Sequence, residues 1–209
     1  MLDLVLPLEC GGCGAPSTSW CDGCAAALQV KPDEPHLVTP RVDPEVPVFA
    51  LGRYAGARRQ AIVALKEHGR RDLTAPLARA VAVGLHHLIG WGVLDTPITV
   101  VPAPTRASAA RRRGGDPVAQ IANVATRNHP GITVLSALRT KALVRDSVGL
   151  SSAAREDNLR GRVRLTRPVA GPVVLIDDII TTGATAREAV RTLQAAGAHV
   201  TAVLTLAHA

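Results

Sequence analysis

Residues 173–185 read Val-Val-Leu-Ile-Asp-Asp-Ile-Ile-Thr-Thr-Gly-Ala-Thr, and this stretch decides how the chain is expected to fold. Its first four residues are apolar without alternating with polar ones, which is typical of a strand buried on both faces of a parallel sheet. From Thr185 the period changes, because apolar side chains then recur three or four positions apart as far as Leu193. That spacing predicts an amphipathic helix. The stretch is therefore expected to be a strand, a loop and a helix.

The loop between this strand and this helix carries two kinds of chemistry. The part at the helix N-terminus consists of Thr181, Thr182, Gly183, Ala184 and Thr185. These residues offer hydroxyls and backbone N–H groups where the helix dipole favours a phosphate. The preceding Asp177 and Asp178 cannot bind that phosphate, but they suit the hydroxyls of a sugar, or a Mg²⁺ that bridges a sugar and a pyrophosphate. A phosphorylated ribose satisfies both requirements.

The position of this loop supports a ligand-binding role, since open α/β sheets bind ligands beyond the carboxyl ends of their strands. The alternative is an ordinary strand-to-helix turn with a capping Asp and threonines. Two acids at the end of a buried strand are more than a cap requires, so binding is the favoured interpretation.

Composition sets limits on the fold and on the partner. The chain has 209 residues, of which 47% are hydrophobic and 20% charged, enough to bury a core. Aromatic residues make up only 2%, so the chain lacks the stacking platforms on which single-stranded nucleic acid is usually held. The formal net charge of +7 permits a polyanionic partner and equally a small phosphorylated one.

The N-terminal ten residues do not have the pattern of a secretory signal. They lack a basic start, their apolar part is short, and Glu9 stands where a small residue is expected before Cys10. No run approaches the roughly 18 apolar residues of a transmembrane helix. A cytoplasmic protein without membrane insertion is expected.

Four cysteines, the only ones in the chain, occur as two C-x-x-C pairs: Cys10, Cys13, Cys21 and Cys24. Each pair supplies a tight turn whose thiolates converge on one ion, and the short loop between the pairs allows a tetrahedral site. The alternatives are two disulfides, a dithiol redox site and an iron–sulfur cluster. A cytosolic setting disfavours disulfides, and a redox pair needs no second pair beside it. Structural Zn²⁺ is favoured, and a site with four cysteine ligands has no open position for catalysis.

The chain is expected to divide into residues 1–28, a zinc knuckle; residues 29–47, a linker; and residues 48–209, the main domain. The linker is indicated by five prolines and the lack of a sustained period. In the main domain, periodicity predicts helices over residues 58–67, 73–89 and 117–127, and strands over 49–54, 98–101, 132–135, 163–165 and 200–206.

Two further segments are candidate ligand contacts. Arg111 to Arg113 form either a solvated helix start or a clamp on phosphates. Because three adjacent side chains of one helix cannot all face the same site, at least one but not all of them is expected in the clamp. Residues 138–158 are polar, basic and aperiodic, and such a long irregular segment inside a compact domain is often a functional lid.

The central stretch resembles the phosphoribosyl pyrophosphate (PRPP) motif of type I phosphoribosyltransferases, in which two adjacent acids contact the ribose hydroxyls and a Thr/Gly loop holds the 5-phosphate. Over nearly its whole length the chain resembles the ComF/GntX family. The motifs shared with that family are the four cysteines with Pro7-Leu8-Glu9, Leu65-Lys66-Glu67-His68-Gly69-Arg70, Val101-Pro102-Ala103-Pro104, Arg111-Arg112-Arg113-Gly114, Gly149-Leu150-Ser151 with Arg155 and Asn158, and Asp177-Asp178.

The resemblance implies a type I phosphoribosyltransferase fold, an open and mainly parallel sheet with flanking helices, joined to a small N-terminal four-cysteine zinc knuckle. It implies a glycosyltransferase that binds PRPP with Mg²⁺ and transfers the phosphoribosyl group, in a family associated with DNA uptake by competent bacteria. Asp177 and Asp178 would be catalytic, holding the ribose hydroxyls and the metal, and residues 181–185 would hold the 5-phosphate. The residues expected around the pyrophosphate are Thr105 and one of Arg106, Arg111 and Arg113, with Lys66 as a further candidate.

Positions on the acceptor side depart from the family's pattern. Where the family usually has Arg-Gly-Phe-Asn-Gln, this chain has Arg113-Gly114-Gly115-Asp116-Pro117, and Ser147 stands where the family has a Gln. The sequence therefore defines neither the acceptor nor its general base, and it does not define the oligomeric state. A binding module is the alternative: a PRPP sensor, or a protein whose knuckle and Arg111–Arg113 face contact single-stranded DNA or a competence helicase.

Overall fold

The computed structural model describes residues 8–104, 115–140 and 161–209. The helices are α1 (Asp22–Leu28), α2 (Gly56–Glu67), α3 (Thr74–Gly90), α4 (Pro117–Thr126) and α5 (Ala184–Ala195). The strands are β1 (His36–Leu37), β2 (Val48–Ala50), β3 (Ile98–Pro102), β4 (Ile132–Val134), β5 (Leu138–Thr140), β6 (Val163–Leu165), β7 (Gly171–Ile180) and β8 (Ala198–His208). Within the described ranges, no helix combines the length and the apolar character needed to cross a membrane.

The central sheet has six strands in the order β1-β2-β8-β7-β3-β4. The five strands from β2 to β4 are mutually parallel, and β1 adds an antiparallel edge. A separate antiparallel pair is formed by β5 and β6. The predicted α/β class, with a mainly parallel sheet and flanking helices, is confirmed at this level.

Strand β7 is buried on both faces, as its unbroken apolar run predicts. Successive side chains of a strand point to opposite faces, and here Val174 and Ile176 pack into one core while Val173 and Leu175 pack into the other. The first core also takes the apolar sides of α2, α3 and α4, and the second takes that of α5. The sheet is thus covered by helices on both sides, which leaves its carboxyl edge as the open rim.

Several strands differ from the boundaries that the sequence predicts: β2 ends at Ala50 rather than at residue 54, and β8 covers Ala198–His208 rather than 200–206. The strand of the central stretch differs as well. The predicted strand ends at Ile176, whereas β7 continues to Ile180 and includes both acids. The reason is that β8 keeps pairing with it as far as His208, opposite Ile180. Leu138, expected to begin an irregular segment, instead starts β5 and pairs with Leu165 of β6. The remainder of that segment, from residue 141, lies outside the described residues, as Ser147, Arg155 and Asn158 do.

Residues 29–47, named the strap below, lie against the main domain along their length. Strand β1 of the strap pairs with β2, and the Glu34 carbonyl lies 2.6 Å from Nδ1 of His87 on α3. Farther along, the N–H of Val42 donates to the carbonyl of Thr182 at 2.8 Å. The proposed division of the chain into knuckle, linker and main domain stays a prediction, but the strap connects them through specific contacts.

Candidate functional site

The carboxyl ends of β3 and β7 mark the point where the chain's connections diverge. From β3 the chain passes through α4 to β4 on one side, whereas from β7 it passes through α5 to β8 on the other. The two helices also cover opposite faces of the sheet. Such a topological switch leaves a crevice between the two strands, and open α/β sheets bind their ligands there.

Asp177 and Asp178 lie at this crevice. The last paired residues of β3 and β7 are Pro102 and Ile176, and the N–H of Ala103 still donates to the Ile176 carbonyl at 2.7 Å. The acids are the next two residues of β7, at the level where β3 has ended. Asp178 is buried and Asp177 is half-buried. The end of β3 therefore makes room beside the two carboxylates.

The two carboxylates share one nearby cation. Nζ of Lys66, in the last turn of α2, lies 2.6 Å from Oδ2 of Asp178. Burial and the neighbouring Asp178 charge raise the pKa of Asp177 well above its ordinary value, although the Asp178 N–H donates to Asp177 Oδ1 at 2.8 Å. A second cation or a set of hydroxyl donors would stabilise the ionised pair, and this is the chemistry of a metal or a sugar.

The loop after the acids presents donors to the same rim. The side chains of Thr181, Thr182 and Thr185 are exposed, whereas Gly183 and Ala184 are buried. Gly183 is the N-cap of α5 with φ of +87°, and the Ala184 N–H donates to Thr182 Oγ1 at 3.4 Å. The first N–H groups of a helix have no partner within the helix. The exposed hydroxyls and the helix N-terminus together can bind an anion.

The strap supports this loop from behind. The Val42 N–H holds the Thr182 carbonyl, and Gly183 packs directly against Pro40 and the Val42 carbonyl. Sequence reasoning missed this contact, because backbone groups make it and no side-chain pattern signals it. The strap thus fixes the loop while the side chains of Thr181, Thr182 and Thr185 stay exposed.

Helix α2 bridges two neighbouring strands at the rim. Near its start, Nη1 of the buried Arg58 donates to the Leu206 carbonyl of β8 at 3.1 Å, and burial lowers the pKa of Arg58. In its last turn, Lys66 reaches Asp178 of β7. Sequence reasoning missed Arg58, although it lies four residues before the buried Ile62 and therefore on the same face of the helix. The two contacts fix α2 over the carboxyl ends of β7 and β8.

The four cysteines converge as their spacing predicts. All four Sγ atoms lie within 4.8 Å of one another, and those of Cys13 and Cys21 are 3.6 Å apart. Tetrahedral ligands about 2.3 Å from Zn²⁺ are separated by roughly 3.8 Å, whereas a disulfide requires about 2.05 Å. The arrangement therefore fits a four-thiolate metal site.

Backbone donors and charge favour a cation among these sulfurs. The N–H groups of Gly12 and Cys21 donate to Cys10 Sγ at 3.5 and 3.4 Å, as is usual around ligating thiolates. Burial alone would raise the pKa of Cys10. The hydrogen bonds from the backbone N–H groups of Cys21, Gly12 and Cys13 outweigh burial and lower this pKa to about 6. Burial and the neighbouring thiols raise the pKa of Cys24 instead. Four thiolates so close repel one another unless a cation neutralises them.

We expect about one Zn²⁺ per chain in the purified protein, as four thiolate ligands saturate one ion. Cys10→Ser and Cys21→Ser should lose the metal and lower the thermal stability, because Trp20 and Leu28 of the knuckle pack against the core of the main domain. Elemental analysis of protein purified without added zinc, with thermal melts, measures both effects. Ser19→Ala in the same loop is the control. Iron with sulfide, or intact disulfides in reduced extracts, would contradict the zinc assignment.

Other predicted ligand contacts fall outside the described residues, namely Thr105, Arg106, Arg111 and Arg113. Two grooves lie elsewhere: one of about 580 Å³ between α1 and α3, and one of about 440 Å³ between the cysteine turns and α2. Neither is lined by Asp177, Asp178 or residues 181–185. The carboxylates and the adjoining loop, rather than an apolar cavity, therefore define the candidate site.

Comparison with models of known protein families gives no match to this chain. A search of curated proteins also gives no match. Functional inference consequently starts from the geometry of the rim.

Proposed function

We propose that the protein is a phosphoribosyltransferase of the ComF type, which binds PRPP with Mg²⁺ and transfers its phosphoribosyl group to an acceptor. The observation that carries the proposal is the placement of two carboxylates beside a loop with exposed threonines at a helix N-terminus, at the topological switch of a parallel sheet. A ligand with sugar hydroxyls a few ångströms from a phosphate matches this order of groups. PRPP adds a pyrophosphate, which extends toward the end of β3.

Each part of the rim has a role in this proposal. Residues 181–185 bind the 5-phosphate through hydroxyls and the N-terminus of α5. Asp177 and Asp178 accept hydrogen bonds from the ribose hydroxyls and provide oxygen ligands for Mg²⁺, which neutralises charge on the pyrophosphate. The residues fit such a cation, because two carboxylates here share only Lys66 among the described cations within contact distance.

In the transfer, the bond between ribose C1 and the pyrophosphate oxygen breaks and the acceptor forms a new bond to C1. Negative charge develops on the departing pyrophosphate, so fixed positive charge near it lowers the barrier. Lys66 is positioned to supply part of this charge once ribose hydroxyls occupy Asp178. Arg106, Arg111 or Arg113, which follow β3 in the sequence, are the further candidates.

Calorimetric titration of PRPP with and without Mg²⁺ tests the proposal. We expect Mg²⁺-dependent binding, competition by ribose 5-phosphate, and weaker competition by free pyrophosphate. Thr182→Val should weaken binding by about 1.5–3 kcal/mol, the value of a hydrogen bond to a charged group. Thr192→Val is the matched control, because that hydroxyl donates within α5 to the Glu188 carbonyl.

The outcome that rejects the proposal is a lack of PRPP binding by folded wild-type protein in the presence of Mg²⁺. Binding without pyrophosphate release, across a panel of purine and pyrimidine bases and amines, would instead favour a PRPP sensor. Pyrophosphate release with one acceptor class would identify the substrate.

A second candidate function, binding of a nucleic-acid backbone, is favoured by the β5–β6 pair. Arg139 and Arg164 are exposed and lie directly opposite each other in the antiparallel register. Like charges in that position repel and cost roughly 0.2–1 kcal/mol. Within the described residues neither forms an ion pair, and residues 135–140 and 161–170 contain no acid. A bound phosphodiester backbone would offset this repulsion.

If this pair binds nucleic acid, Arg139→Ala with Arg164→Ala should lower single-stranded DNA affinity and reduce the slope of log K against log salt by about one per arginine. Fluorescence anisotropy at several salt concentrations measures the slope. Arg127→Ala, an exposed arginine at the end of α4, is the control. An unchanged slope in the double variant would assign the pair to an ordinary solvated surface.

A further inference from the structure

Arg70 connects the four-cysteine site to the rest of the chain. Its Nη1 donates to the Glu9 carbonyl at 3.0 Å, and its Nη2 donates to the Ser19 carbonyl at 3.2 Å. The remaining side of the guanidinium faces Asp72, with Nε to Oδ1 at 3.0 Å and Nη2 to Oδ2 at 2.8 Å. One side chain therefore uses its rigid set of donors on three different segments.

The two carbonyls belong to the two cysteine turns. Glu9 immediately precedes Cys10, and Ser19 lies two residues before Cys21. The turns also contact each other through the Gly11 N–H, which donates to the Ser19 carbonyl at 3.0 Å. Gly11 in turn lies against the fully buried Leu73, close enough that a Cβ would collide with that side chain. Formation of the cysteine site thus sets the positions of both carbonyls that Arg70 contacts.

Four residues earlier, the same segment carries Lys66. The reversal after α2 is tight, because the N–H groups of both His68 and Arg70 donate to the Ala64 carbonyl at 3.1 Å. A shift of Arg70 therefore moves the last turn of α2. Lys66 in that turn holds Asp178 at 2.6 Å, and the lysine side chain is only 29% exposed. The reversal therefore connects the cysteine turns to the Lys66–Asp178 ion pair.

We propose that Arg70 is a positioning residue that couples the four-cysteine site to the Lys66–Asp178 ion pair, so that metal occupancy of the knuckle sets the affinity of the rim for its phosphorylated ligand. The identity of that ligand rests on the function proposed above. The coupling itself does not depend on that function. It is a property of the contacts that link the segments within residues 9–73 to one another and to Asp178.

A double-mutant cycle on unfolding tests the coupling without any ligand. Lys66→Ala, Asp178→Asn and the double variant give the interaction free energy of the pair. We expect this interaction in metal-loaded protein and its loss in the Arg70→Lys background, since one ammonium cannot span two carbonyls and Asp72. Arg79→Lys, an exposed arginine of α3, is the control. An interaction of equal size in the Arg70→Lys background overturns the proposal.

A measurement on wild-type protein covers the case in which Arg70→Lys is poorly folded. Hydrogen exchange of wild-type residues 64–70 should accelerate by a larger factor than exchange in β7 and β8 when a chelator removes the knuckle metal. Unchanged exchange in residues 64–70 overturns the proposal.

A third experiment measures ligand binding. Arg70→Lys should weaken Mg-PRPP binding by about fivefold or more, with the metal content unchanged, and should have no effect in a Lys66→Ala background. Equal weakening in both backgrounds overturns the coupling. If wild-type protein does not bind PRPP, the proposed function fails, and the unfolding cycle and hydrogen exchange still decide whether Arg70 couples the two sites.

Discussion

Replacing Gly183 by alanine is expected to abolish PRPP binding and to lower the free energy of unfolding by at least ~2 kcal/mol. Two effects combine. Gly183 has φ of +87°, a conformation that costs residues with a Cβ about 1–2 kcal/mol. A Cβ there would also collide with the Val42 carbonyl and lie 2.8 Å from Pro40 Cβ. The strap cannot retreat without breaking the Val42–Thr182 hydrogen bond, so the loop must move.

The matched control lies at the other end of the same helix. Gly197 has φ of +88°, and a Cβ at that position would meet nothing within 4 Å. Gly197→Ala therefore carries the conformational cost alone and should leave PRPP affinity unchanged. Thermal melts and calorimetric titration of both variants separate backbone strain from displacement of the loop. Wild-type PRPP affinity in Gly183→Ala would show that the position of this loop does not matter for binding.

The central unit could be predicted from sequence because one local pattern determines it. Val173 to Ile176 need apolar partners on both faces of the sheet, and α4 and α5 provide them. The length of β7 could not be predicted, because aspartate has a low β-propensity and Asp177 and Asp178 therefore suggest the end of the strand. They continue the strand because β8 remains paired beside them, which is a non-local effect.

The cation beside the acids was only partly predictable. Lys66 was a candidate for the pyrophosphate, but its contact with Asp178 joins residues 112 positions apart and depends on how α2 lies over the sheet. The same holds for Arg70, whose partners are backbone carbonyls that have no sequence signature. Local periodicity gives the helix and its buried face, whereas the charged contacts at its ends follow from tertiary packing.

The order of the strap could not be predicted from the sequence, for a different reason. Its five prolines and aperiodic charges have the composition of a flexible linker. Its order comes from the pairing of β1 with β2 and from single contacts such as Val42 to Thr182. Contacts made through the backbone leave no period in the side chains, so the supporting role of Pro40 could not be read from the sequence.

Asp177→Asn is expected to stabilise the ligand-free protein while sharply weakening Mg-PRPP binding. The pKa of Asp177 is raised by burial and by the Asp178 charge, so the ionised carboxylate is unfavourable in the folded state. Asn keeps the volume and an oxygen that accepts from the Asp178 N–H, the bond that Asp177 Oδ1 makes at 2.8 Å. It removes the charge that a metal and ribose hydroxyls require.

The pH dependence of this effect has a definite sign. A raised folded-state pKa means that the group favours folding below its unfolded pKa, about 3.9, and that this contribution is lost as pH rises through the folded value. The stability gain of Asp177→Asn should therefore be greatest at neutral pH and should vanish as pH falls toward 4. Denaturant unfolding from pH 4 to pH 8 measures the difference directly.

Asp178→Asn is the comparison that separates the effect on ligand binding from the effect on stability of removing a buried charge. It too should weaken PRPP binding, but it leaves the partly buried Lys66 without its carboxylate, and removing one partner of a buried pair destabilises the fold. The two neighbouring substitutions should thus change stability in opposite directions while both reduce affinity. Stabilisation by both would show that Lys66 does not hold Asp178 in solution, and an unchanged PRPP affinity in both would remove the carboxylates from the binding site.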